Sequence, residues 1–389
     1  MKVITYLQKR EELEELRSTG VKEVILSHRQ LASLGKLNSD VLLSLATLAH
    51  REGMDVALEW DLLVEEGRFD DQFSLVGQLL KEGKEIIDAV RVRDLGAARR
   101  LSIEFPEVEL HYLCSPGNHN LKSLLTLERS IGGPLKRLVL SPELTQESIF
   151  HYNRELNSEL ELLLLGRIPL FTTPRKLLSP HFNRESEQQV EVRGESEESP
   201  HRGFPVVENS RGTTMYHIKD HCLYEHLGAL KEEGLSVLRV DIRHLSDLQP
   251  LNDLRDLMDD FSKSHALECR KRYPLDTTRG YFPTNKSDVL FVKLKNHRIQ
   301  RRDPDYIGDV VDAVRGSHLA VMVRSERNAL KQGSKIRIVT PDGKEVVAFI
   351  SRLEDSSHQP IKQRDRGELG LINGVKGVTV RSAIYLCAE

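Results

Sequence analysis

Strand-like and helix-like periodicities alternate at a steady pace through the first 170 residues, and few folds accept such an alternation. Seven short β-rich runs can be read: VITYL (3–7), KEVILSH (22–28), DVALEWD (55–61), AVRVRD (89–94), ELHYLC (109–114), RLVLSP (137–142) and LELLLLG (160–166). Between them lie stretches such as SDVLLSLATLAHREG, DQFSLVGQLLKEGK and NLKSLLTLERSIGG, whose apolar residues recur at helical spacing. Gly, Asn or Asp punctuates the joints, as caps and turns require. An eighth run, LSVLRVDIRH (235–244), arrives after a delay and is followed by the helical pattern LNDLRDLMDDFSK. Eight βα units over residues 1–265 predict an α/β fold, a (β/α)8 TIM-like barrel, in preference to an open doubly wound sheet.

The delay before the eighth strand is occupied by residues 183–213, which are polar, acidic and rich in Ser, Gly and Arg. That composition predicts a mobile surface excursion after strand seven, on the side where barrel enzymes place their βα loops. Beyond residue 270 the rhythm changes to short strands, DVLFVKL, YIGDVVDAV, HLAVMV, SKIRIVTPDGKEVVAFISRL and GVTVRSAIYL, with a PDG hairpin signal at 341–343. Residues 270–389 are therefore expected to form a small all-β, barrel-like C-terminal domain. Its entry, 270–303, is basic with Tyr and Phe interleaved, so it could contact RNA or a protein partner; the plainer expectation is a solvated linker and edge strand.

Length, composition and charge narrow the class without naming a partner. With 39% hydrophobic and 30% charged residues and a net charge of −3, the 389-residue chain reads as a globular protein, neither disordered nor membrane-embedded. No run approaches membrane-spanning length, and the N-terminal apolar stretch is too short for an export signal. The four cysteines, Cys114, Cys222, Cys269 and Cys387, lie far apart with no metal-ligand spacing, which predicts free thiols, no metal, no cofactor and a cytoplasmic setting.

Functional groups of a barrel come from the C-terminal ends of its strands. That rule selects His28, Glu59, Asp61, Asp94, Cys114, Ser141, Glu143, Arg175, Lys176, Asp241 and Arg243. Asp94 reads as a helix N-cap, and Ser141 with Glu143 as a capping arrangement before LTQESIF. Cys114 would need His28 or His119 beside it to act as a nucleophile; otherwise it is a small hydrophobe. The substrate-binding candidates retained are His28, Glu59, Cys114, Glu143, Arg175, Lys176, Asp241 and Arg243, with no catalytic residue identified. Neither HExxH nor GxSxG occurs.

Several segments together resemble peptidase family U32, the collagenase-like peptidases. LHYLCSPGNHN and RLVLSPELT resemble the family's fifth and sixth strand motifs, with His111, Asn120, Leu140, Ser141 and Glu143 at matching positions. ELELLLLGRIPLFTTPRKLLS resembles its Glu-rich strand, Gly and Ser-Gly-Arg-Cys segment, retaining Gly166 and Arg175. In KDHCLYEHLGALKEEGLSVLRVDIR, Lys219, Asp220, Cys222 and Leu223 match, while Arg239, Asp241 and Arg243 stand where the family has Lys, Glu and Arg. The resemblance implies either a peptidase or a relative of members implicated in hydroxylating RNA bases or the ubiquinone ring. Those hydroxylase branches carry a four-cysteine iron–sulfur site. Here Lys176 and Pro169 occupy two of its positions and residues 177–221 contain no cysteine, so the implied protein lacks the cluster. It would bind a substrate at the barrel mouth, as a hydrolase or as an accessory binding protein.

Overall fold

The computed structural model describes residues 1–62, 64–114, 120–182, 189–195, 202–283, 303–314, 316–341 and 343–387. The chain divides into two compact units, Met1–Lys286 and Ser287–Glu389, so the first unit runs past the boundary expected at residue 265.

The first unit is built on strands β1 (Lys2–Tyr6), β2 (Glu23–Ser27), β3 (Asp55–Trp60), β4 (Ala89–Val92), β5 (Glu109–Leu113), β6 (Leu135–Val139) and β7 (Glu159–Gly166). Each pairs in parallel with the next. Closure comes from a later strand, numbered β13 in chain order (Val237–Asp241), which pairs in parallel with both β7 and β1. The eight expected strands thus form a closed barrel, each within a few residues of its expected limits. Helices α1 (Leu13–Ser18), α2 (Ser39–Arg51), α3 (Phe69–Glu82), α4 (Leu95–Glu104), α5 (Leu121–Ile131) and α6 (Gln146–Glu155) fill the crossovers. Asp94 caps α4 by accepting from Ala97 N at 2.9 Å. The cap before α6 is Thr145, which accepts from Ser148 N at 3.2 Å, whereas Ser141 Oγ accepts from Glu143 N in the preceding turn. The capping role expected of Ser141 and Glu143 is therefore filled by Thr145, downstream of both.

The outward faces of the strands pack on the helices in one continuous core that includes Leu26, Leu58, Val90, Leu110, Leu138, Leu162 and Leu238. The inward faces are different. A small apolar plug of Ile4, Tyr6, Ile25 and Val237 fills part of the barrel, and charged side chains fill much of the rest.

The polar stretch 183–213 is not a loop where it is described. Strands β8 (Pro169–Thr173), β9 (Val190–Glu195), β10 (Arg202–Asn209) and β11 (Gly212–Tyr216) form an antiparallel sheet in the order β8-β11-β10-β9. The sequence VEVRGE alternates in burial along β9, with Val190 buried, and Val206 and Val207 are buried on β10. A period-2 pattern was present along β9, but the surrounding Ser and Glu masked it, and on β10 the residues Pro205 to Glu208 are all buried without alternation. Two short strands, β12 (Asp220–Cys222) and β14 (Thr277–Thr278), then extend the barrel sheet beside β7. Helices α7 (Ser179–Phe182), α8 (Leu227–Glu232), α9 (Gln249–Asp259) and α10 (Lys263–Arg272) complete the unit.

In the second unit, strands β15 (Tyr306–Val314), β16 (His318–Val323), β18 (Lys335–Val339), β19 (Glu345–Phe349), β20 (Leu353–Glu354), β22 (Leu369–Asn373) and β23 (Ala383–Leu386) form a seven-stranded sheet. Its described pairings are antiparallel, and β17 (Leu330–Lys331) pairs with β21 (Gln363–Arg364) beside it. The PDG signal falls between β18 and β19, which are paired antiparallel from Lys335↔Phe349 to Val339↔Glu345. The expected strand DVLFVKL and most of the basic stretch 270–303 lie outside the described residues.

Candidate functional site

Every strand of the barrel aims a polar side chain into its interior, and together these groups form a nearly closed charge network. At its lower end Arg137 of β6 donates to Glu23 of β2 at 2.7 and 2.9 Å and to Glu159 at 3.0 Å. In the middle, Arg91 of β4 donates both terminal nitrogens to Glu161 of β7 at 2.6 and 2.8 Å, and Arg239 of β13 adds a third bond at 2.8 Å. Burial alone would raise the Glu161 pKa, but Arg91, Arg239 and Arg137 bring it down to about 2. At the mouth Arg243 donates to Asp241 at 2.9 and 2.7 Å and lies 3.4 Å above the Tyr6 ring. Glu59 accepts from the Tyr6 hydroxyl at 2.8 Å and from Ser27 at 2.6 Å, with Arg243 Nη1 3.6 Å away.

Such pairing is what allows charges to sit inside a barrel. A buried ion is tolerated only when a partner offsets its lost hydration. Among the described residues, three interior polar atoms, Arg91 Nε, His111 Nε2 and Arg243 Nη1, are buried without a hydrogen-bond partner. Burial, reinforced by Arg137 and Arg91, pushes the His111 pKa well down, so this imidazole is neutral.

Gly166 ends β7 with φ +146°, and a Cβ there would stand 2.7 Å from the Asp241 carbonyl oxygen. Only a glycine lets β13 bring Asp241 and Arg243 so close to the end of β7. The break in LLLLGRIP therefore seats the mouth pair and launches β8. The antiparallel sheet folds back over this end of the barrel. Asn209 Nδ2 donates to Ser33 O at 2.6 Å, and Ser33 in turn donates from N and Oγ to Asp61 at 2.6 and 2.5 Å. Tyr216, buried on β11, faces the charges of Arg243, Asp241 and Asp61, and burial raises its pKa. The space left beside Tyr6, Ser27 and Arg243 is only about 10 Å³.

A larger cleft of about 520 Å³ opens between this sheet and the segments after β2 and β3. Gln30, Arg68, Gln72, Pro174, Lys176 and Arg211 are among its walls. Gly212, φ +119°, holds the β10–β11 turn against Thr173 and Pro174, where any Cβ would meet backbone at 2.1 Å. Glu208 ties the same region together: it accepts from Leu178 N, Ser179 N and Thr213 Oγ1 at 2.6, 2.8 and 2.7 Å. Burial would raise its pKa, but these donors hold it down at about 2.

A sequence profile of peptidase family U32 matches residues 8–282, the barrel and its covering sheet. The chain belongs to peptidase family U32. A curated relative, tRNA hydroxylation protein P2 of Bacillus subtilis (strain 168), is 20% identical over 215 residues, covering 53% of this chain and 67% of that protein. Among solved structures, the U32 peptidase Mk0906 is similar at 15% identity and TM-score 0.35, covering 43% of this chain and 69% of the other. Phosphoribosyl anthranilate isomerase from Thermococcus kodakaraensis is similar at 11% identity and TM-score 0.30, covering 41% and 77%.

The U32 chain brings only three of the eight sequence candidates together: Glu59, Asp241 and Arg243 at the mouth. His28 is buried beyond β2, accepting from Gln30 N at 3.2 Å beside Ser39, and burial, then Arg29 and Arg211, press its pKa down to about 4. Cys114 belongs to the helix-facing core, and burial pushes its thiol up to about 12, which disfavours the thiolate. His119 lies outside the described residues. Glu143 is exposed beyond β6. Arg175 is exposed on the turn after β8, where its backbone bonds Thr173 and Thr213, so it does not join Asp241 and Arg243. Lys176, next to it, enters the cleft.

The donor set does not fit an iron–sulfur cluster. Pro169 and Lys176 supply no thiolate, and Cys114, Cys222 and Cys269 are all buried in the barrel's outer core, with Cys387 in the other unit. Among the described residues no group of three or more His, Cys, Asp and Glu is placed to hold a metal ion, and no helix is long and apolar enough to cross a membrane.

Sequence reasoning missed the deeper charges, Glu23, Arg91, Arg137 and Glu161. Their signal was present: each is a charge at an inward-alternating position of an otherwise apolar strand. It also missed Arg29, Arg68 and Arg211, which sit in polar turns where nothing local distinguishes them from solvated surface.

Proposed function

We propose that this U32 chain is an RNA-binding accessory protein of RNA modification, and not a peptidase. The observation that carries the reading is the state of the barrel mouth. Glu59 and Asp241 are held by Tyr6, Ser27 and Arg243, Asp61 is held by Ser33, and a sheet covers them. General-base or nucleophilic catalysis needs a group within reach of a substrate and free to exchange a proton. Among the described residues the barrel thiols are buried, and burial raises their pKa values. Hydrolysis therefore rests on the family's name alone. The tRNA hydroxylation protein among the relatives supports RNA as the partner class, and the cations of the cleft supply the electrostatic attraction that RNA binding requires.

Of the described cations in the basic stretch 270–303, Arg270 and Arg272 are paired with Glu225 at 2.5 Å and Asp253 at 2.7 Å, while Lys271 and Arg279 are exposed on its surface. The cleft gathers its cations from three segments into one concave wall, which makes it the better-placed contact surface. The test sets two assays side by side: fluorescence anisotropy with a labelled tRNA transcript, and cleavage of gelatin and a mixed peptide library by the same preparation. Salt-sensitive tRNA binding without cleavage is expected. Catalytic peptide cleavage that disappears in Asp241→Asn would overturn the proposal.

A further inference from the structure

The cleft beneath the β10–β11 turn holds positive charge that its own acids neutralise only in part. Its cations come from three separate segments: Arg68 ahead of α3, Lys176 after β8, and Arg211 in the β10–β11 turn. Arg29 stands close enough for its charge to be felt at Arg211. The cleft's own acids are Glu65 and Asp71, and only Glu65 approaches a cation, 3.7 Å from Arg68. Among the described residues no carboxylate lies within ion-pair distance of Arg29, Lys176 or Arg211. Within that same set the Arg211 guanidinium bonds only Ser210 Oγ, at 2.8 Å, and its Nε is buried with no acceptor. Three lining cations against two acids, with Arg29 close by and an orphaned guanidinium nitrogen, is an arrangement that an anion completes.

Two groups register this field. Burial, then Arg68 and Arg29, lower the Arg211 pKa, and burial, then Arg29 and Arg211, lower that of His28. Like charges crowded in this way cost stability unless a ligand gathers them. The fold nevertheless enforces the crowding. Gly212 presses the Arg211 turn onto Pro174, and Glu208 fixes the Leu178–Ser179 backbone beside Lys176.

We propose that the cleft formed by Arg68, Lys176 and Arg211, with Arg29 at its side, is a binding site for the phosphodiester backbone of RNA. This deepens the RNA reading and rests on it. The cations come from three separate segments of a cleft of about 520 Å³, which suits successive phosphates along a strand better than a single small anion. Among the described residues no aromatic side chain lines the cleft, so it offers phosphate contacts without base stacking. It recognises backbone, not sequence.

The experiment uses the full chain, a fluorescein-labelled tRNA transcript, and sodium pyrophosphate as the small-anion probe. Lys176→Ala and Arg211→Ala are each expected to weaken tRNA binding about tenfold. The double variant should lower the slope of log Kd against log salt by about 1.4, at about 0.7 per lost phosphate contact on a single strand. Arg211→Lys should keep most of the slope, and Arg175→Ala, one residue outside the cleft, should keep affinity. Melting temperatures confirm folding of every variant. If the double variant binds tRNA with wild-type affinity and slope, the cleft assignment is overturned while the RNA reading survives. If the wild type binds pyrophosphate through Lys176 and Arg211 but ignores tRNA, the RNA occupant and the RNA reading both fall. If Arg175→Ala weakens binding as much as Arg211→Ala, a diffuse basic surface replaces the cleft.

Discussion

The barrel interior and the cleft beside its mouth use the same side chains to opposite ends. Inside, Arg91, Arg137, Arg239 and Arg243 each meet a carboxylate at 2.6 to 2.8 Å in a setting that is fully or largely buried. In the cleft, Lys176 and Arg211 are partly exposed and meet none among the described residues. A charge that is buried and paired costs more to break than it contributes to any ligand, whereas a partly exposed unpaired one is available. Position at the end of a barrel strand, the rule that picked the sequence candidates, does not separate these cases; the presence of a partner does.

The comparison breaks most directly at Glu161. Glu161→Ala strands Arg91 and Arg239 in the barrel, and a loss of about 3–5 kcal/mol is expected in denaturant unfolding. A loss under about 1 kcal/mol would mean that water or a rearranged partner replaces the carboxylate, and that the network is not closed.

Acid should dissect the same network. The folded pKa of Glu161 is about 2 against an ordinary 4.5, so its contribution is complete above pH 4.5 and drains away as pH falls toward 2. Asp61 has the opposite sign: burial, then the Glu59 charge, push its pKa up to about 6 from 3.8. Protonated Asp61 is favoured in the fold, so it costs stability above pH 6, and that cost disappears as pH falls toward 3.8. Asp61→Asn should raise the melting temperature at about pH 8 and bring no gain near about pH 4. An equal gain at both values would refute the assignment.

The thiols give a smaller effect. Of the four cysteines only Cys387 is not fully buried, so Ellman's reagent should titrate one thiol quickly in the native chain and the remaining three only after unfolding. Fast reaction of Cys114 would restore it as a candidate nucleophile. Arg175→Ala should change least, within about 0.5 kcal/mol in stability, because its exposed side chain holds no partner among the described residues.

Most of the barrel was legible in the sequence because buried strands and amphipathic helices imprint their periods on apolar residues. The same held in the second unit, where β15 and β16 fall on YIGDVVDAV and HLAVMV residue for residue. The covering sheet was not legible. Val190, Val206 and Val207 carry its pattern, but glutamates and serines fill the gaps, and composition outweighed period. At the site, the Asp241–Arg243 pair was visible at a strand end, two residues apart. The cleft was not, since Arg68, Lys176 and Arg211 are far apart in the chain and only tertiary structure brings them together. Gly166 showed as a break, yet only the closeness of Asp241 reveals what the break is for.

On the proposal made above, barrel charges hold the fold while cleft charges hold a ligand. Arg239→Met and Arg211→Met remove one charge from each region at similar side-chain volume, and urea unfolding and tRNA anisotropy on the same samples read both consequences. A lower unfolding midpoint with retained affinity is expected for Arg239→Met, and an unchanged or slightly higher midpoint with about tenfold weaker, less salt-dependent binding for Arg211→Met. Loss of tRNA binding in a fully stable Arg239→Met protein, with Arg211→Met binding as the wild type does, would contradict it.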